Sequence, residues 1–416
     1  MKKALKITGY SLIGIIVLII AISTISYQNY WADDPQVEVN PEQLQYFRES
    51  YPDCREAFRD AVANIPYDSI RAGGISINSK VDSDLTVDWC YIPAKIKNKR
   101  LLILNSGLHG IEGYTGSAIQ LMFLDKILDK LSRDSLGILL VHGLNPYGFK
   151  YHRKVTENNV DLNRNCVIDT AMYHSRNTGY AALTDLLMPQ DEVNINSLTN
   201  RFFHIVAIKK IIEKSMPVLR QAALQGQYDF DKGIYYGGKD YEPQIKALEP
   251  LFKDIMNQYP LILNVDLHTA YGERGTMHLF LNPVDNDQVK RGLESIFEGE
   301  KIDWGNSKDF YTINGEYLGW VNHLADTSLC LPMLFEFGTL DSQTTFGSLK
   351  SIQIMINENQ GAHYGFKNEK SEKKVKHDFD EMYYPSSEKW RTKVMNDAYN
   401  KISRMVKRFE EYNLNK

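Results

Sequence analysis

Two spacings of apolar residues organise this chain, one of period two and one near 3.6. Residues 74–78 and 85–92 alternate apolar with polar positions, which predicts strands with one covered face. Residues 101–104 form a continuous apolar run, as a strand buried on both faces requires, and 261–267 predicts a second buried strand. Residues 136–141 and 278–281 are also strand-like, and so is 329–337 in spite of Pro332. Helical spacing covers 115–131, 202–224 with a break at Pro217, 241–259 and most of 380–412. A further helix is expected to open at Asn40-Pro41-Glu42, a cap followed by proline and an acid, and to run to about residue 63. Residues 145–165 are polar and turn-rich, and 367–380 mixes charges of both signs as a solvent-facing loop does. Strands alternating with helices predict an α/β fold, a mixed, mainly parallel sheet flanked by helices.

The N-terminus breaks that rhythm. Lys2, Lys3 and Lys6 precede an uncharged run over 7–25, nineteen residues that as a helix reach about 28 Å, close to the hydrocarbon thickness of a bilayer. No A-x-A cleavage site follows, so an uncleaved transmembrane helix is favoured over a cleaved signal peptide. Tyr27, Tyr30 and Trp31 stand where an interfacial aromatic belt is expected, and the leading lysines place the N-terminus in the cytoplasm. The expectation is a single-pass cell-membrane protein. Residues 1–27 form a cytoplasmic stub and anchor, 28–40 a linker, and 41–416 an extracytoplasmic domain.

The length of 416 residues is ample for a large core, and 43% hydrophobic with 24% charged is ordinary for a globular chain. A formal net charge of −4 with no basic tract argues against a nucleic-acid partner. The four cysteines, Cys54, Cys90, Cys166 and Cys330, form no C-x-x-C pair, which argues against a thiolate zinc site. Cys90 and Cys330 lie in apolar, strand-like surroundings and are expected as buried thiols. Oligomeric state is left open.

Four short stretches carry chemistry. After the strand at 101–104 comes Gly107-Leu108-His109-Gly110-Ile111-Glu112-Gly113, where glycines let backbone and metal approach each other. His268 ends the run 261–267. Two His and one Glu can hold a zinc ion and leave a fourth position open to water. Arg153 and the segment Val160-Asp161-Leu162-Asn163-Arg164-Asn165 bring two guanidinium forks suited to carboxylates and developing oxyanions. Asp161 can orient a ligating histidine through its second ring nitrogen. Glu336 interrupts the apolar run Met333-Leu334-Phe335-Glu336-Phe337, a costly place for a charge and a fitting one for a general base of raised pKa. Each stretch alone is commonplace, and only their combination has weight. The run from Gly233 to Asp240 nearly spells a phosphate-binding P-loop, but Asp240 stands where Ser or Thr must bind magnesium and no apolar strand precedes it.

The ordered set resembles the zinc carboxypeptidases of the funnelin type. It is most similar to their bacterial relatives filed as a domain of unknown function, over about residues 70–360. The resemblance is carried by Gly107 to Gly113, by Asn145-Pro146-Tyr147-Gly148, by Val160 to Asn165 and by Asp266-Leu267-His268-Thr269. It implies one zinc ion held by His109, Glu112 and His268, with Asp161 behind the first histidine. It further implies that Arg153 polarises the scissile carbonyl, that Asn163 and Arg164 hold a terminal carboxylate, and that Glu336 is the catalytic base. Tyr317 is the nearest candidate for the family's late substrate-covering tyrosine. The interval between Glu112 and His268 exceeds that of typical carboxypeptidases and suggests a helical insertion at about 170–259 that caps the pocket. The expected function is a membrane-anchored zinc hydrolase cleaving an amide or peptide bond beside a free carboxylate. The alternatives are an N-acyl amino-acid deacylase with the same zinc site and a catalytically silent, membrane-tethered binding module.

Overall fold

The computed structural model describes residues 2–305 and 313–413, with side chains from residue 14 onward except at position 216. Eight strands form one sheet: β1 (Arg71–Ser76), β2 (Thr86–Ile92), β3 (Arg100–Ser106), β4 (Leu136–His142), β5 (Leu261–Ala270), β6 (Met277–Phe280), β7 (Ile302–Asp303) and β8 (Leu329–Gly338). Their order is β1-β2-β4-β3-β5-β8-β6-β7. The centre, β4-β3-β5-β8, is parallel throughout, whereas β1 and β2 join it antiparallel and β6 runs antiparallel to β8. The central strands are the apolar ones. Leu101, Leu102, Ile103 and Leu104 have no exposed surface, and each such side chain contributes roughly 1.5–3 kcal/mol by burial. β1 carries two glycines and a largely exposed face, as an edge strand can. Pro332 is tolerated in β8 because β6 pairs only with Leu334 to Phe337, so β8 is an edge at the proline.

Helices flank this sheet. Tyr51–Ala63, Gly113–Met122, Asp287–Ile296 and Glu388–Glu411 form one packed group. Pro243–Met256 and Tyr317–His323 form another, through Phe252 against Tyr317 and Trp320. The helix expected over 41–63 is two helices. Ser50 starts the second by accepting a hydrogen bond from the Asp53 N–H at 3.3 Å, with Pro52 in the first turn. The break expected at Pro217 falls at Ser215, whose φ is +74°, while Pro217 occupies the first turn of Met216–Leu224. The stretch 367–380 is no solvent loop: Asn368 caps the helix Glu369–Tyr383, which buries Val375, Phe379 and Met382. All four cysteines are buried free thiols.

The membrane anchor is corrected. The first helix, Lys2–Gln28, ends against the domain. Tyr27 is fully buried, stacked on His204 with ring centroids 4.5 Å apart and edge-on to Phe346. Lys350 Nζ donates to the carbonyl of Gln28 at 3.3 Å, and Tyr30 Oη lies 3.4 Å from Thr344 Oγ1. These aromatics pack on protein where a lipid-interface belt was expected. The side chains of Lys2, Lys3, Lys6 and residues 7–13 lie outside the described residues. Among the described residues no helix is long and apolar enough to cross a membrane. That finding overturns the single-pass membrane localisation and the outward placement derived from it. Segment 28–40, expected as a linker, lies along the domain. Arg274 donates to Asp34 from Nε at 2.9 Å and Nη2 at 2.8 Å, and the Asn40 N–H donates to Thr392 Oγ1.

Candidate metal centre and active-site cavity

In an open α/β sheet a crevice forms at the carboxyl ends of the strands, where successive crossovers leave in opposite directions. Here that point lies between β3 and β5, because the chain passes from β3 to β4 on one side and returns to β5 on the other. Gly107, with φ +74°, turns the chain sharply after β3. Gly110 then opens a short turn, Gly110–Glu112, pressed so close to the helix Pro146–Lys150 that a Cβ would lie 2.1 Å from the Gly148 carbonyl carbon. This contact fixes His109 and Glu112 above the crevice. His268 on β5 and Glu336 on β8 are directly paired in register, so their side chains leave the same face of the sheet.

His109, Glu112 and His268 converge, with one ligand atom from each all within 4.8 Å of one another. Glu112 bridges the rings: Oε1 is 2.9 Å from His109 Nδ1, and Oε2 is 2.9 Å from His268 Nδ1. The two Nδ1 atoms are 3.2 Å apart. Each opposite ring nitrogen meets a carboxylate, His109 Nε2 with Asp161 at 3.2 Å and His268 Nε2 with Asp266 at 2.7 Å. A carboxylate accepting from Nε2–H leaves the Nδ1 lone pair free, the arrangement of metal-binding histidines. Two imidazole nitrogens and a carboxylate directed at one point, with an acid behind each ring, fit a zinc ion.

The charges of the cluster depend on one another. Burial pushes the Glu112 carboxyl up, but the neighbouring His109 and His268 outweigh it and hold it at about 2. Burial opposes a charge on His268, yet Asp266 and Glu112 keep its pKa well above the ordinary imidazole value. Burial likewise opposes ionisation of Asp161, and Lys154, His109 and Arg164 reverse that and hold it well below the carboxylate range. Glu336 has no such surplus of cations. Burial raises its pKa well above the usual value, with His268 opposing and Glu112 adding to the rise. Its Oε2 accepts the Tyr271 N–H at 3.4 Å.

The remaining sequence candidates divide. Asn163 and Arg164 line the cavity of about 140 Å³ that contains His109, Glu112 and Glu336. Asn163 Oδ1 accepts the Tyr317 N–H at 3.0 Å. Arg164 donates from Nε and Nη2 to the Leu224 carbonyl and from Nη1 to the Asn163 carbonyl. Arg153 is elsewhere, a correction to its expected role at the scissile carbonyl. Its Nε donates to Glu358 at 2.8 Å, and it does not line this cavity. The chain turns here, and the carbonyls of Arg153 and Lys154 both accept from the turn that bears the ligands, from the N–H groups of Ile111 and Gly110. Lys154 is the one turned inward, its Nζ ion-paired with Asp161 and 2.8 Å from His109 Nε2. Tyr317 is also misplaced as a cover. It is fully buried, with Oη donating to Asn105 at 3.1 Å.

The stretch 170–259 supplies one wall. Tyr235 lies beneath both Lys154 and Arg164, each cation 5.1 Å from its ring centroid. The near P-loop is a prop for the site: the Tyr236 carbonyl accepts the Asp161 N–H at 2.8 Å, and the Gly237 carbonyl accepts from Asn165 Nδ2 at 2.9 Å. Arg220 also borders the cavity. Two of its lining residues, Tyr235 at φ +58° and Ala270 at φ +95°, hold backbone conformations that cost an L-residue roughly 1–3 kcal/mol each, a strain typical of functional sites. Among the residues not singled out from sequence, Asp266 carried a readable signal. It precedes His268 by two positions on a strand and therefore shares its face. Lys154 and Arg220 carried none, since basic residues in polar or amphipathic stretches are usually solvated.

Solved structures with likeness to this chain include bovine thrombin-activatable fibrinolysis inhibitor in complex with tick carboxypeptidase inhibitor. That match has 12% identity and a TM-score of 0.45, covering 76% of this chain and 97% of that one. A metallo-carboxypeptidase from Burkholderia cenocepacia matches with 12% identity over 76% of this chain and 70% of its own, TM-score 0.37. Carboxypeptidase A from Helicoverpa armigera matches with 13% identity over 76% and 73%, TM-score 0.37. No curated protein matches. The model of one family, DUF2817, described as a protein of unknown function, matches residues 47–397. That span is most of the chain, and the protein belongs to the DUF2817 family.

Proposed function

We propose that this protein is a zinc-dependent hydrolase that cleaves an amide or peptide bond next to a free carboxylate. The observation that carries the reading is the convergence of His109, Glu112 and His268 within 4.8 Å, with Glu336 paired in register beside His268. Those three residues would hold the zinc ion, which would supply a Lewis acid and lower the pKa of water from 15.7 towards about 7. Glu336 takes the proton of the attacking water and returns it to the leaving nitrogen, and its raised pKa suits both steps. Asp266 holds the His268 ring in the tautomer that presents Nδ1, and Asp161 lies behind the His109 ring. Lys154 fixes Asp161 and, with Arg153 engaged by Glu358, is the cation adjoining His109. Arg164 has five N–H groups and gives three to backbone carbonyls, which leaves two for a substrate carboxylate beside Asn163.

A cavity of about 140 Å³, walled by an insertion, favours short substrates. Peptide ends and N-acyl amino acids both qualify. The test compares zinc content and turnover in the wild type and in Glu336→Gln, on panels of short peptides and N-acetyl amino acids. The variant is expected to keep its zinc and lose about 10²- to 10⁴-fold in rate. Undiminished turnover in the variant refutes Glu336 as base. A zinc-loaded wild type inert on both panels favours the binding-module reading.

A further inference from the structure

Arg220 is the cation of the cavity that the proposed reaction does not use. It lies on the helix Met216–Leu224, half-buried, with its side chain on the cavity wall. Leu224 follows it by four residues, so the two share a helix face one turn, about 5.4 Å, apart. The Leu224 carbonyl is also the acceptor that holds the Arg164 guanidinium, at 3.0 Å from Nε and 2.5 Å from Nη2. Arg164 is thereby fixed at the end of the helix, and Arg220 stands one turn further along the same wall. Arg220 is close enough to Tyr271, on the β5 side of the cavity, to lower the pKa of its hydroxyl against the dominant effect of burial.

The other ionisable groups bordering this cavity have protein partners. Lys154 is paired with Asp161. Glu112 faces two histidines and accepts the Thr269 N–H at 3.1 Å. Glu336 accepts the Tyr271 N–H. Arg164 has its backbone acceptors. Among the described residues Arg220 forms no ion pair and no hydrogen bond. A half-buried guanidinium on a cavity wall, with no protein acceptor, is open to an entering carboxylate, and two guanidinium groups along one wall suit two carboxylates.

We infer that Arg220 is a specificity-determining residue that selects substrates bearing a second carboxylate, an acidic side chain or acidic acyl group in addition to the one held by Asn163 and Arg164. This rests on the hydrolase reading for the word substrate, but the recognition itself is separable from turnover. Titration calorimetry of the zinc-loaded full-length protein with glutarate and with glutaramate tests it, since the two probes share a shape and differ by one carboxylate. Wild type is expected to prefer glutarate by about tenfold to a hundredfold, the scale of one charge-assisted contact. Arg220→Gln should abolish that preference with glutaramate binding unchanged, and Arg220→Lys should retain part of it.

Equal preference in wild type and Arg220→Gln overturns the inference, and so does a wild type that binds neither probe. An equal loss for both probes also overturns it, because Arg220 then shares the first carboxylate with Arg164. A parallel assay on N-acetylglutamate and N-acetylglutamine separates the two proposals. If neither these two nor the panel of short peptides is hydrolysed while the binding preference follows Arg220, the hydrolase reading fails and the assignment of Arg220 stands.

Discussion

His142 ends β4. Its ring stacks on Phe58 at a centroid distance of 4.5 Å, and Nε2 lies 3.0 Å from Ser117 Oγ. Burial, helped by the charges of Arg59 and Arg55, pushes its pKa down to about 3. The folded protein therefore keeps His142 neutral where an unfolded chain, with a value of about 6.5, takes up a proton. Above that value the two states bind equally and the group contributes no pH dependence. As pH falls from about 6.5 towards 3, stability is lost at up to about 1.4 kcal/mol per unit. Denaturant midpoints at pH 7 and pH 5 should show His142→Gln losing about 2 kcal/mol less than wild type across that interval. Identical pH slopes refute the assignment. At this scale the sequence was informative where residue type and period coincide. The histidines and Glu112 stand out by chemistry, and Asp266 by its place two residues before His268. Arg153 and Lys154 show the opposite case. Both are basic and adjacent, and only the folded chain shows that Lys154 lines the cavity while Arg153 turns to Glu358.

The elements that position the site depend on backbone contacts that side-chain patterns do not reveal. The central strands were readable because burial on both faces writes continuous apolar runs. The helix Glu369–Tyr383 was not, since charges on its outer face mask a stripe of Val375, Phe379 and Met382. The turn Gly110–Glu112 depends on a glycine for closeness alone: a Cβ at Gly110 would fall 2.1 Å from Gly148 C and 2.2 Å from Phe149 N. Backbone cannot yield as a flexible side chain can. Gly110→Ala must therefore move the turn, and Glu112 and His109 with it. A loss of more than about 2 kcal/mol of stability is expected, as for other forced overlaps, together with lower zinc content. Chemical denaturation and metal analysis check it. An alanine variant of wild-type stability and stoichiometry disproves the close-approach argument.

At the scale of the molecule, the site joins parts of the chain that are far apart. His109 and His268 are separated by 159 residues and brought within 3.2 Å by the pairing of β3 with β5. The long interval between Glu112 and His268 is visible in sequence. That it returns as the wall bearing Arg220, Leu224 and Tyr235 needs the fold. An ion bound there ties the turn after β3 to β5, so it favours the folded state and not the unfolded chain. Linkage then sets the gain: free zinc at a hundred times its dissociation constant should raise stability by about 2.7 kcal/mol. His268→Ala removes one of three protein ligands and should abolish most of that gain, whereas Glu336→Gln should preserve it, because Glu336 contributes no ligand in the proposed site. Unfolding of chelator-treated protein, with and without added zinc, measures the difference in all three forms. A zinc-induced shift that survives His268→Ala at full size places the ion elsewhere. A shift lost in both variants instead makes Glu336 part of the metal's binding set, in conflict with its role as the base.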